Sequence, residues 1–191
     1  MEKQIDFYFD LVSPYSYVAS MLIDDVALRG NAKVNWKPFL LGGVFKAVGT
    51  TEAPGLHPVK KPYLLKDLQR LSVHLKIPIK MPPDFPVRTV LAMRTLCGFN
   101  ADEIPQAANT LYKAYWVNNK DIADPDVVGS LVGSEAVERA GMQEIKDALF
   151  QSTEEAVRLG AFGAPTFFVK DEMFFGHDRL PLVELHLNGQ I

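Results

Sequence analysis

The chain has 191 residues, with 20 Lys and Arg against 23 Asp and Glu and a formal net charge of −3 at pH 7. Its 48% apolar and 23% charged residues suit a globular domain with a sizeable core; the charge argues against a general nucleic-acid binder, and no apolar run reaches the ~20 residues of a membrane span. One cysteine, Cys97, excludes an internal disulfide, a cysteine-only metal site and a CxxC redox enzyme, and together with a polar–apolar N-terminus unlike a signal peptide it points to the cytoplasm.

Residues 4–11 read QIDFYFDL. Ile5, Phe7, Phe9 and Leu11 alternate with Asp6, Tyr8 and Asp10, the period of a strand. Ser13-Pro14 follows. Serine is a favoured N-cap and proline a favoured first helical residue, so a helix is expected from here. Val18, Leu22 and Val26 form its core face and Arg29-Gly30 its end. Residues 33–38 read as a second strand, and strand–helix–strand implies a parallel pair with a crossover. From about 57 to 150 no strand is expected. Leu64, Leu68, Leu71 and Leu75 share a helical face, 103–118 and 124–140 continue the helical pattern, and Pro78, Pro82, Pro83 and Pro86 interrupt it. Ser152-x-x-Glu155 fits a capping box opening a helix to about Ala161. Residues 166–169 and 173–175 read as strands joined by a tight turn at Lys170-Asp171. Asp178 then caps a last helix with Leu180, Leu182, Val183 and Leu187 inside. The fold class expected is α/β: a thioredoxin-like fold with a helical insertion subdomain. It is one domain over 1–191, built from about 1–56 and 151–191, with the insertion at about 57–150.

Ser13-Pro14-Tyr15-Ser16 stands where a thioredoxin fold carries CxxC, with serine at both cysteine positions. Backbone N–H groups at a helix N-terminus favour an anion, so the site retains an anion-stabilising position while lacking its own sulfur, which a bound thiol could supply. Making a thiol of pKa ~8.5 mostly thiolate at neutral pH needs a drop of about two units, roughly 2.7 kcal/mol. A helix N-terminus contributes about 0.3–1 and occasionally ~2 kcal/mol. A hydroxyl hydrogen bond to a charged group adds roughly 1.5–3 kcal/mol. Neither a metal nor a general base is needed. By itself, Ser13-Pro14 is a plain N-cap. Gly163-Ala164-Pro165-Thr166 opens the late strand, and a cis Pro165 would leave the backbone of Ala164 to pair with an extended peptide. Alone, it is an ordinary strand-start proline.

In order along the chain, DFYFDLVSPYSYVAS, PGLHPVKKPYLLKDLQRL, HLKIPIKMPPDF and GAFGAPTFFVKDEMFFGHDRL resemble the 2-hydroxychromene-2-carboxylate isomerase family. That family is related to kappa-class glutathione transferases and to the DsbA-type thioredoxin fold. The resemblance covers essentially the whole chain and implies glutathione as the cofactor. Ser13 matches the serine that hydrogen-bonds the glutathione sulfur. Ala164, before Pro165, matches the residue whose backbone pairs with the cysteinyl part. His177 and Asp178 match positions at the γ-glutamyl end, and Lys60 a lysine near the glycyl carboxylate. Where kappa-class enzymes carry an asparagine this chain has Thr51, which lacks the paired donor and acceptor of an amide. A small aromatic electrophile as substrate and a homodimer are also implied, with no metal, nucleic acid or membrane.

Phe39, Phe45, Tyr63, Phe85 and Trp116 are candidates to line an aromatic pocket, although each alone is more often core. Arg88 is a candidate partner for a substrate carboxylate. Lys60, Lys61, Lys66, Arg70, Lys76 and Lys80 read as a solvated face, with Asp67 and Arg70 placed to pair across a helical turn. Cys97 reads as buried and inert, and His57, His74 and His186 lack metal-ligand spacing. Three readings stay open: a glutathione-dependent isomerase acting through reversible thiolate addition to a conjugated double bond, a kappa-like transferase that releases the conjugate, and a non-catalytic thioredoxin-fold binding module.

Overall fold

The computed structural model describes residues 2–50 and 55–191. A four-stranded sheet has the order β2-β1-β3-β4. β1 (Lys3–Phe9) and β2 (Ala32–Pro38) pair in parallel, from Lys3 opposite Ala32 to Phe9 opposite Pro38. β3 (Thr166–Val169) runs antiparallel to β1, with Phe167 opposite Phe7, and β4 (Glu172–Phe175) closes a hairpin on it through Lys170 at φ 56°. The mixed sheet with its parallel crossover and late hairpin is the thioredoxin-like arrangement expected from the sequence.

β1 is central, which explains one departure. Alternation assigned Tyr8 and Asp10 to a polar face, yet both are buried, because each side of the sheet is covered. On one side lies the main core, with Phe7, Phe9 and Phe167 beneath helices that contribute Val18, Leu111, Tyr112 and Trp116. On the other, Tyr8, Phe39, Val44, Ala156 and Phe168 make a smaller cluster. Full burial of one such aromatic side chain contributes about 1.5–3 kcal/mol.

The crossover is two helices rather than the single one expected. α1 (Pro14–Ser20) ends as Met21 and Leu22 donate their N–H groups three residues back, to Val18 and Ala19, a tightening that stops the α-helical ladder. α2 (Ile23–Gly30) then ends on Asn31 in the left-handed region at φ 51°. Gly30 matters for space: a Cβ there would lie 2.5 Å from Leu187 Cδ1. A short α3 (Leu41–Ala47) follows β2.

Between Ala47 and residue 143 the described chain adds α4 (Lys60–Leu75), α5 (Val90–Cys97), α6 (Ile104–Trp116), α7 (Pro125–Val132) and α8 (Ser134–Arg139), and no strand. The helical stretch expected over 124–140 is divided by Gly133 at φ 100°. α9 (Gln143–Arg158) corrects the expected capping box. Ser152 and Glu155 sit inside this helix. The Glu155 carboxylate turns to the sheet, accepting from Tyr8 OH at 2.8 Å and Lys37 Nζ at 3.3 Å, instead of reaching back to a helix start. The subdomain boundary expected near 150 therefore falls within α9. After β4 a 3₁₀ turn, His177–Arg179, leads into α10 (Leu180–Leu187).

Candidate active site

Ser13 lies at the junction of β1 and α1, 4% exposed, with its backbone N–H donated to Asp10 O at 3.0 Å. Its Oγ accepts from Ser16 N at 3.1 Å, the expected N-cap bond, and donates to Ala164 O at 3.0 Å. The Ala164–Pro165 bond is cis, and the Pro165 carbonyl accepts from Gly176 N at 3.0 Å. Two segments far apart in sequence thus meet at one hydroxyl. α1 has only seven residues. In its first turn Pro14 has no N–H and that of Ser16 is taken by Ser13 Oγ, which leaves Tyr15 N–H as the donor at the tip. The hydroxyl therefore carries more of any charge stabilisation here than the helix end does. Ser16, at the second CxxC position, is fully buried and its Oγ has no partner among the described residues.

The turn carrying Ser13 is held from beneath by a residue the sequence reading missed. Asp10 is 1% exposed. Its Oδ1 accepts from Val12 N at 3.1 Å and Thr89 Oγ1 at 2.8 Å, and its Oδ2 from Leu41 N at 2.9 Å. Burial raises its pKa, and the three donors pull it back down. One carboxylate so joins the turn before Ser13, the start of α3 and the approach to α5. The helical insertion adds Trp116 Nε1 to Leu11 O at 2.9 Å and Tyr112 OH to Asp10 O at 3.3 Å. The available signal was a carboxylate three residues ahead of Ser-Pro, in a strand too apolar to have a wet face.

Tyr15, also given no role by the sequence, stacks on His177 with ring centroids 5.1 Å apart and planes 3° from parallel. Its hydroxyl donates to Asp67 Oδ2 at 2.7 Å. Burial, then Asp67, raises the phenol's pKa. Asp67 is thus engaged with Tyr15, and the pairing with Arg70 expected from spacing is not formed. Burial lowers the pKa of His177, opposed by Asp178 and Asp67, which favours the neutral imidazole.

Asp178 is exposed and lies 3.4 Å from Arg179 Nη1. It does not cap α10, a correction: the 3₁₀ turn intervenes, Arg179 occupies the cap position, and no side chain bonds there. His177 and Asp178 line a cavity of about 460 Å³ together with Leu71 and His74 of α4. Lys60 is exposed at the first position of α4, and Tyr63, one turn on, is 63% exposed. Arg88 is exposed beside Thr89, the Asp10 ligand. Phe39 is no pocket residue: it is fully buried, edge-on to Tyr8 at 5.9 Å, in the core behind the sheet. Trp116 is likewise core, whereas Phe45 and Phe85 are half-buried. Burial pushes the Cys97 thiol up to about 12. Thr51 lies outside the described residues.

The model of the DSBA-like thioredoxin domain matches residues 4–188. Glutathione S-transferase kappa 1 of Homo sapiens is 30% identical over 211 residues, covering 100% of this chain and 92% of that protein. A 2-hydroxychromene-2-carboxylate isomerase of Pseudomonas putida is 30% identical over 193 residues, covering 94% and 92%. A solved 2-hydroxychromene-2-carboxylate isomerase superposes with a TM-score of 0.87 at 25% identity, over 97% of this chain and 95% of that one. Sheet order, the Ser13–Ala164 junction and these likenesses converge: the chain belongs to the DSBA-like thioredoxin family, beside the 2-hydroxychromene-2-carboxylate isomerases and kappa-class glutathione transferases.

Proposed function

We propose that this protein is a glutathione-dependent isomerase acting on 2-hydroxychromene-2-carboxylate-like aromatic compounds. The observation that carries the reading is Ser13 Oγ, 3.0 Å from the carbonyl of Ala164 and next to the cis Pro165, in a chain with no cysteine at this position. When bound, glutathione would supply a thiolate that adds reversibly to a conjugated double bond, leaves a single bond free to rotate, and departs unchanged.

The donor set fits that group. Ser13 has one hydroxyl proton, resting on Ala164 O. Rotated to a sulfur it would stabilise the thiolate as it enters and as it leaves, with Tyr15 N–H as second donor. The backbone of Ala164 would then hold the cysteinyl part. Lys60 would take the glycyl carboxylate and Asp178 the γ-glutamyl ammonium, and neutral His177 would hydrogen-bond the same end without adding charge. Tyr63 and Arg88, both exposed, are the remaining candidates for the aromatic body and carboxylate of the substrate. The reading includes a cytoplasmic homodimer.

Turnover tests it. Interconversion of 2-hydroxychromene-2-carboxylate and its open-chain hydroxybenzylidenepyruvate, with glutathione required and its concentration unchanged, is the expected result. The kappa-class relative at 30% identity favours one alternative, a transferase. Stoichiometric loss of glutathione into a stable conjugate with 1-chloro-2,4-dinitrobenzene, without isomerisation, would establish it. Absence of glutathione binding overturns both and leaves a binding module.

A further inference from the structure

A cavity of about 760 Å³ opens between α3, α5 and α9. It shares no lining residue with the Ser13 site. Its floor is apolar, formed in part by Leu40, Leu149 and Phe150, and the Phe150 ring is 60% exposed. Around it stand four cations: Lys46, Arg94, Lys146 and Arg158. The ion pairs of the described residues use other cations, namely Arg29, Lys33, Lys37 and Arg179. Two carboxylates, Glu154 and Glu155, also reach the cavity, but Glu155 is committed to Tyr8 and Lys37. The rim thus carries four cations against two carboxylates, with Arg158 near Glu155.

Arg94 sets this apart from a solvated basic face. Its Nε is buried and has no acceptor among the described residues. Arg94 is half-buried and lines the cavity, so an incoming oxygen anion can meet only the open part of its guanidinium and not the closed-off Nε. The guanidinium is planar and matches a carboxylate in a two-point fork. An exposed phenyl ring on an apolar floor offers a flat body a surface to stack on. The cavity is within the usual range of small-molecule sites, about 300–1,000 Å³.

We propose that this cavity is a second binding site, for a small aromatic carboxylate, independent of the Ser13 site. Its carboxylate lies against Arg94 with Lys46 and Lys146 adding charge, and its ring lies on Phe150.

Titration calorimetry with 2-naphthoate and the uncharged 2-naphthalenemethanol tests the site. Saturable naphthoate binding is expected, about ten-fold or more weaker for the alcohol and for Arg94→Gln, as fits loss of a charge-assisted hydrogen bond. Arg94→Lys should lose less, and Lys46→Gln, at an exposed position, should weaken binding while leaving the fold intact. Saturating glutathione and Ser13→Ala should leave naphthoate affinity unchanged. The proposal is overturned by absence of saturable binding, by affinity indifferent to both Arg94→Gln and Lys46→Gln, or by loss of binding in Ser13→Ala. An oligoglutamate peptide binding as tightly as naphthoate would overturn the ligand class. Should Arg94→Gln not fold, Lys46→Gln and Lys146→Gln decide the same question.

Discussion

The hydroxyl of Tyr15 donates to the carboxylate of Asp67 at 2.7 Å, joining the first turn of α1 to the middle of α4. α4 is a 16-residue helix whose buried residues are only Leu64 and Leu68, so this hydrogen bond is a large part of what fixes it beside Ser13. Tyr15→Phe should cost about 1 kcal/mol of global stability. Its larger effect should be local, with faster amide hydrogen exchange over 60–75 and unchanged exchange in β1. Unchanged protection in α4 would show that the helix is held otherwise.

Asp10 anchors three segments through Val12 N, Thr89 Oγ1 and Leu41 N. Asparagine has one accepting oxygen, so Asp10→Asn leaves at least one of these donors facing an NH₂ group, at a cost of about 1–3 kcal/mol. Urea denaturation should show that loss, and Thr89→Val a smaller one. A change below about 0.5 kcal/mol, the size of an ordinary surface substitution, would mean Asp10 is not the anchor described.

His177 gives a pH dependence with a defined sign. Its folded pKa is depressed, chiefly by burial. The unfolded chain therefore binds the proton more readily, so the contribution is fully present above about pH 6.5 and is lost as pH falls through the folded pKa. Glu155, also depressed, acts in the same direction at lower pH, so a variant is needed to separate them. Thermal melts of wild type and His177→Phe should show wild type losing stability relative to the variant between about pH 7 and pH 5. A difference independent of pH would contradict a half-buried His177 with a depressed pKa.

Two helical glycines should respond oppositely to alanine. At Gly42 an added Cβ meets nothing within 4 Å, so Gly42→Ala should stabilise by about 0.5–1 kcal/mol through helix propensity. At Gly30 the Cβ would lie 2.5 Å from Leu187 Cδ1. Gly30→Ala should destabilise by about 1–3 kcal/mol, and by less when the same change is made in a Leu187→Ala background. Equal effects at the two sites would rule out close packing of α2 on α10.

What could be read from the sequence was what local chemistry decides. The first strand and the Ser13 N-cap appear as expected, and Pro165, whose isomer the sequence left open, is cis. The unread parts depend on distant partners. Asp10 looked like the wet face of a strand because its ligands, Leu41 and Thr89, are remote in sequence. α3 went unseen because Gly42-Gly43 is poor helix former chemistry; its start is held by Asp10 and by Thr153 Oγ1, which accepts from Leu40 N at 3.0 Å. The Ser152–Glu155 pattern misled because Glu155 bonds to Tyr8, 147 positions away. Tyr15 and Asp67, 52 apart, carried no mutual signal.

Ultraviolet titration of the thiolate of glutathione bound to wild type and to Ser13→Ala tests the central claim most directly. The account predicts a thiol pKa well below the ordinary ~8.5 in wild type and a return toward that value in the variant. An unshifted pKa in wild type, or a depressed pKa that Ser13→Ala leaves in place, would contradict it.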